Sequence, residues 1–291
     1  MSTTATDHDE QLKAILAHPS YRLAHEDQAL LADDDSRPIR LQLELLKPER
    51  YLRRHKIQST VVVFGSARVP SPSQALATLA ELEANARSIP DDVNLPAAFI
   101  GARQRVRQSH YYEEARRFSE LVSLRFQEEG RRDFVVVTGG GPGIMEAANR
   151  GAFDAGARSI GLNITLQNEQ APNPFITPGL CFQFRYFGLR KMHFLMRARA
   201  LVVFPGGFGT MDELFEVLTL VQTGKVRRVP IVLVGTDFWR KAINFQFLIE
   251  EGFIGAQDAQ LFTVVDRAEE IIVALESFYD GKPPVHDTTL D

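Results

Sequence analysis

From residue 60 onward, short unbroken runs of Val, Ile, Leu and Phe alternate with longer amphipathic stretches. The runs are TVVVFGS (60–66), FVVVTGG (134–140), SIGLNI (159–164), LCFQF (180–184), ALVVFPGG (200–207), VPIVLVG (229–235) and LFTVV (261–265). Continuous apolar runs, as opposed to alternating ones, belong to strands covered on both faces, and helix-length segments between them supply the cover. The pattern predicts an α/β fold with a doubly wound, mainly parallel, Rossmann-like sheet, forming a single domain over residues 57–291.

Two stretches break the rhythm. Residues 70–108, with Pro70, Pro72, Pro90 and Pro96, read as an insertion carrying a short Ala/Leu-rich helix (75–86) before a helix that starts near Tyr111. Residues 165–179, with Pro172, Pro174 and Pro178, read as a long irregular loop of the kind that serves as a lid or binding loop. Residues 1–56 are polar and charged, with Asp33, Asp34 and Asp35 in the middle and a basic end from Lys47 to Lys56. Their short apolar groups (Leu12, Ile15, Leu16; Leu41, Leu43, Leu45, Leu46) predict one or two helices after a disordered start, packed on the main domain or on a second subunit.

Composition narrows the class. With 44% hydrophobic and 24% charged residues, 20 Gly and 15 Pro in 291 residues, the chain is neither collagen-like, nor a coiled-coil rod, nor wholly disordered. A net charge of −4 lacks the basic footprint of a protein that binds duplex DNA or an anionic membrane. The single cysteine, Cys181, excludes an internal disulfide framework and any CxxC pair. Apolar runs such as 61–64 and 200–204 are far too short to span a bilayer, and the first residues do not read as a secretory signal, so a cytoplasmic location is expected.

The candidate chemistry lies in three glycine-rich turns that follow predicted strands. They are Gly65-Ser66, then Gly139-Gly140-Gly141-Pro142-Gly143, then Pro205-Gly206-Gly207-Phe208-Gly209-Thr210. All would open at one sheet edge, where ligands of open α/β sheets bind and where a glycine turn entering a helix presents N–H groups to an anion. A phosphate is the natural guest. No Gly-Lys-Ser/Thr follows, and the GxGxxG spacing with a downstream acidic anchor is not clean, which weakens NTPase and dinucleotide readings.

Thr210-Met211-Asp212-Glu213 supports two readings. Thr-x-x-Glu is a capping box, yet Glu213 could equally face the sugar of a bound nucleotide. Leu214, Val217, Leu218 and Val221 continue the helix as core positions. Upstream, FRYFGLRKMHFLMRARA carries Arg185, Arg190, Lys191 and His193. Arg190 could pair with a phosphate or with Glu213 through its planar fork. His193 reads as packing or a partner contact, and Arg197 and Arg199 read as solvated. Glu146, Asn149 and Arg150, after the GGGPG turn, are candidates for ligand contact.

GGGPGIMEAANRGA (139–152), and Arg190-Lys191 followed by PGGFGTMDE (205–213), resemble the paired signatures of the LOG family. These are the cytokinin riboside 5′-monophosphate phosphoribohydrolases, formerly called lysine decarboxylases. The resemblance covers about residues 57–279, including FGSAR (64–68), and leaves the first 55 residues and the insertion outside the short family core. It implies Arg190 and Glu213 as the catalytic pair, with the 5′-phosphate on Gly206, Gly207, Gly209 and Thr210. Gly65, Ser66, Gly139, Gly140, Gly141, Gly143 and Lys191 complete the implied substrate site. The family's Met-His before Arg-Lys is replaced by Phe187-Gly188.

The implied reaction hydrolyses the N-glycosidic bond of a purine nucleoside 5′-monophosphate, AMP or its N6-prenylated form, and needs neither a metal nor an organic cofactor. A homodimer or higher homo-oligomer is also implied. One alternative is a non-catalytic nucleotide binder or a carrier such as the molybdenum cofactor carriers, against which the Arg190 and Glu213 combination argues. A single-stranded nucleic-acid binder is disfavoured by the net charge. A decarboxylase would need a Schiff-base lysine, for which Lys191, beside the implied phosphate, is a poor candidate.

Overall fold

The computed structural model describes residues 3–88, 94–128, 132–165 and 171–281. Pro90 of the predicted insertion and residues 166–170 of the predicted loop lie outside the described residues. The chain divides into two compact units, residues 1–47 and 48–291. The division falls inside a helix, upstream of the boundary at residue 56 expected from composition.

The first unit holds α1 (Thr3–Ala17), α2 (Gln28–Ala32) and the start of α3 (Arg37–Arg54). Helix begins at Thr3. Asp27 caps α2 by accepting from the amides of Ala29 and Leu30 at 3.0 and 3.1 Å, which satisfies donors that a helix start leaves open.

The second unit contains all seven predicted strands. In chain order they are β1 (Thr60–Phe64), α4 (Pro72–Ser88), α5 (Leu95–Gln108), α6 (His110–Phe126), β2 (Val135–Thr138), α7 (Ile144–Asp154), β3 (Ser159–Ile164), β4 (Cys181–Phe184), α8 (Phe187–Met196), β5 (Ala198–Val203), α9 (Phe208–Gln222), β6 (Ile231–Val234), α10 (Thr236–Ala242), α11 (Phe245–Glu250), β7 (Phe262–Val265) and α12 (Ala268–Phe278). Every pairing is parallel, in the order β4-β3-β2-β1-β5-β6-β7. This is the predicted doubly wound α/β fold. The insertion holds two long helices, α4 and α5, instead of the single short one expected at 75–86.

Side chains alternate across a strand, and here both faces are buried. Val62 and Phe64 join Val135, Val137, Leu201, Val203, Ile231 and Leu233 beneath Phe194, Leu214 and Trp239. Val61 and Val63 join Val136, Val202 and Val232 beneath Tyr112, Phe118, Ile144 and Ile271. Burial on both sides is why these strands read as unbroken apolar runs.

Helices α6 and α7 approach so closely that a Cβ on Gly151 would lie 1.9 Å from the Arg116 carbonyl oxygen. Gly151→Ala therefore forces the helices apart, with an expected loss of about 1–3 kcal/mol typical of overpacking. A lower urea midpoint at unchanged slope is the check.

Strand order reverses between β1 and β5, because the chain winds outward through β2, β3 and β4 and then returns to β5 on the other side of β1. The loops leaving the carboxyl ends of these two strands diverge and open a crevice at the sheet edge.

Candidate active site

The loops at this switch point are tied together by the main chain. Phe204 donates to the Phe64 carbonyl at 2.8 Å, Ser66 donates to the Pro205 carbonyl at 3.0 Å, and Ile144 donates to the Ser66 carbonyl at 3.1 Å. All three glycine turns thus meet at one place. Gly143 caps α7 at φ 71°, a left-handed conformation, and a Cβ there would lie 2.4 Å from the Ser66 carbonyl oxygen. Asn173, from the part of the predicted loop that is described, donates its amide to the Gly140 carbonyl at 2.9 Å. Its Nδ2 donates to the Gly141 carbonyl at 3.0 Å and to Asn149 Oδ1 at 2.9 Å. This stretch buttresses the turn.

A cavity of about 880 Å³ opens beside these loops. Gly65, Ser66, Gly139, Arg190, Glu213 and the whole of Gly206–Thr210 line it. Gly140, Gly141, Gly143 and Lys191 do not. Gly140 and Gly143 shape the turn, and Lys191 Nζ is engaged by Asp212, which lines the cavity, at 2.7 Å and by Glu216 at 3.2 Å. Lys191 thus stands at the border of the cavity, tied to two carboxylates of α9.

Helix α9 starts at Phe208 with Gly207 as its N-cap, which places Thr210 inside the first turn. The capping box suggested by Thr-x-x-Glu does not form. Thr210 packs over Gly206 instead, where a Cβ would lie 2.0 Å from its Oγ1, and Glu213, one turn further on, lines the cavity. At Gly207 and Gly209 an added Cβ would meet nothing within 4 Å, so the amino end of α9 faces open space with its first-turn N–H groups unused by the helix.

Arg190 and Glu213 meet here, with Nη1 3.9 Å from Oε1 and only 12% of each side chain exposed. Nε of Arg190 donates to the Leu162 carbonyl of β3 at 2.7 Å, and its guanidinium carbon lies 5.1 Å from the Phe194 ring centroid. Gly139 leaves room for the guanidinium, since a Cβ there would lie 2.6 Å from Nη2. Burial pushes the Glu213 carboxyl up to about 7, outweighing the downward pull of Arg190 and Lys191. Burial lowers the Arg190 guanidinium, opposed by Glu213. The result is a carboxyl that titrates near neutrality beside a fixed cation, as acid-base chemistry requires.

Other candidates have partners within the fold. Asn149 is fully buried, accepting from Thr138 Oγ1 at 2.7 Å. Glu146 accepts from the Tyr112 hydroxyl at 2.8 Å, and the Arg150 guanidinium carbon lies 5.4 Å from the Phe175 ring centroid. His193 packs against Phe184. Arg197, expected to be solvated, pairs with Glu49 at 2.7 Å through a half-buried fork. Sequence reasoning missed the apolar lining: Met145, Phe238, Phe187 and Phe208, the last 96% exposed at the tip of α9. A large aromatic between glycines, off the core face of the helix, was the available signal.

Residues 145–275 match the family model described as "Possible lysine decarboxylase". Two Arabidopsis thaliana proteins named cytokinin riboside 5′-monophosphate phosphoribohydrolase are similar in sequence. LOG4 is 29% identical over 161 residues, 54% of this chain and 72% of that protein. LOG3 is 28% identical over 184 residues, 62% of this chain and 80% of that protein. These matches place the sequence similarity of this chain with the LOG family. Among solved structures, a Moco carrier protein from Chlamydomonas reinhardtii aligns over 77% of this chain and 99% of its own, at 16% identity and a TM-score of 0.44. A molybdenum cofactor binding protein from Rippkaea orientalis aligns over 58% and 88%, at 19% identity and a TM-score of 0.41. Among the described residues, no helix is long and apolar enough to cross a membrane.

Proposed function

We propose that this protein hydrolyses the N-glycosidic bond of purine nucleoside 5′-monophosphates, AMP or N6-prenylated AMP, giving free base and ribose 5-phosphate. The observation that carries the reading is the pairing of Arg190 with the largely buried Glu213 in a cavity that also takes in the amino end of α9. The names of the plant relatives support the same reaction class.

The 5′-phosphate sits against the first-turn amides of α9, where the helix dipole favours an anion and the glycines allow close approach. Phe187 and Phe208 offer apolar faces to the base. Cleavage builds positive charge at the anomeric carbon, which the Glu213 carboxylate stabilises while accepting a proton from the attacking water. Hydroxide adds to that carbon, the bond to the base breaks, and the proton leaves with the base. Arg190, fixed by the Leu162 carbonyl, orients the carboxylate. The reading includes a homodimer.

Release of free base from AMP, N6-isopentenyl-AMP, GMP, CMP and adenosine tests this. Cleavage is expected of the purine 5′-monophosphates, with CMP and adenosine left intact because one lacks the purine and the other the phosphate. Tight nucleotide binding with no base released from any substrate overturns the reading in favour of a non-catalytic carrier.

A further inference from the structure

The insertion between β1 and α6 encloses space of its own. A cavity of about 470 Å³ lies between the α4–α5 hairpin and the loop after β1, lined among others by Arg68, Thr78, Gly101, Gln104, Arg105 and Gln108. A second, of about 430 Å³, follows the α4–α5 seam and shares Thr78, Gly101 and Arg105 with the first. Together they form a groove that starts at Arg68, a residue that also lines the catalytic cavity. Glu81 and Asn85 line its far part.

Two observations point to a ligand. First, among the described residues the near part carries two guanidiniums and two side-chain amides but no carboxylate, and neither arginine has an ion-pair partner there. Both cations border one cavity without a counter-charge, and a planar donor fork matches phosphate oxygens. Second, Gly101 stands inside α5, where glycine is the least favourable residue after proline, although a Cβ there would meet nothing within 4 Å. Packing does not require it. Its missing side chain keeps the shared floor of both cavities open.

We propose that this groove binds a phosphate-bearing small molecule, its phosphates held between Arg68 and Arg105 with Gln104, Gln108 and Thr78 completing the contacts. Because Arg68 borders both cavities, occupancy of the groove changes substrate affinity in the catalytic cavity, and substrate changes affinity in the groove by the same factor. The coupling rests on the phosphoribohydrolase reading, whereas the binding does not.

Calorimetric titration of pyrophosphate into the full chain, its Arg105→Ala variant and its Gly101→Leu variant tests the proposal. Neither position lines the catalytic cavity, and leucine is a better helix former than glycine, so both variants fold and cleave AMP like the parent when pyrophosphate is absent. Pyrophosphate binding is expected to weaken about tenfold or more in each, as loss of a charged hydrogen-bond donor or of the space would cause. A parallel titration with ATP separates the sources: tighter binding than pyrophosphate, lost in the same variants, indicates a nucleotide, and equal or weaker binding indicates an inorganic anion. Unchanged pyrophosphate affinity in both variants, or no binding by the parent, overturns the proposal. Loss of pyrophosphate binding in the variants of a chain that never cleaves AMP leaves the groove standing and removes the catalytic reading.

Discussion

Glu213→Gln is expected to slow release of free base from AMP by about 10²- to 10⁴-fold, the usual contribution of a positioned general base. Glutamine keeps the volume and an oxygen facing Arg190 but cannot accept the water's proton or carry negative charge. The wild-type profile supplies the companion signature. With its carboxyl pushed up to about 7, Glu213 is protonated in acid and ionised in base, so kcat/KM rises with pH through a midpoint near 7. The variant's residual rate loses that limb. Base release followed by chromatography across the pH range, with circular dichroism to confirm the fold, is the measurement. A variant that cleaves AMP at the wild-type rate removes Glu213 from the mechanism.

Arg190→Ala acts on the same carboxyl from the other side. Arg190 pulls the Glu213 carboxyl down against the effect of burial, so its removal moves the acid limb to higher pH and leaves less carboxylate at neutrality. It also removes the fork that donates to the Leu162 carbonyl at 2.7 Å and faces Glu213 at 3.9 Å, freeing the carboxylate to turn. Misplacing a catalytic group by about 1 Å can cost 10²-fold, and kcat/KM should fall by about that much at pH 7. Arg190→Lys should recover little, because a single ammonium cannot hold both contacts. The pH–rate profile separates this role from simple loss of structure: an unshifted midpoint in an otherwise folded Arg190→Ala variant shows that the arginine does not act on Glu213.

Much of this was readable before any coordinates. Seven apolar runs became seven strands because burial on both sheet faces demands unbroken Val, Ile, Leu and Phe, a requirement written into local composition. Three glycine turns converged because parallel strands with right-handed crossovers must end at one edge. The pairing of Arg190 with Glu213 was an open alternative in the residues themselves, and only the resemblance to the LOG family favoured it.

Other features depended on packing between distant segments. Whether Thr210-x-x-Glu213 was a capping box turned on where α9 begins, with Gly207 and not Thr210 as the N-cap, a shift of three residues that local pattern does not resolve. Lys191 and Arg190 are adjacent and both cationic, yet the turn of α8 sends one to Asp212 and Glu216 and the other into the cavity. Arg197 looked like a surface cation until a residue 148 positions away supplied its carboxylate. The 70–108 insertion was expected to carry one short helix and holds two long ones, with a groove of their own.

The sequence by itself determined the parallel sheet, the edge at which a ligand would bind and the residue types available there, because burial periodicity and glycine turns are local properties. Only the tertiary structure decided which charged side chains face the cavity and how far Glu213 is shifted toward neutrality. Those depend on desolvation and on partners that the fold brings together from separate helices on one face of the sheet.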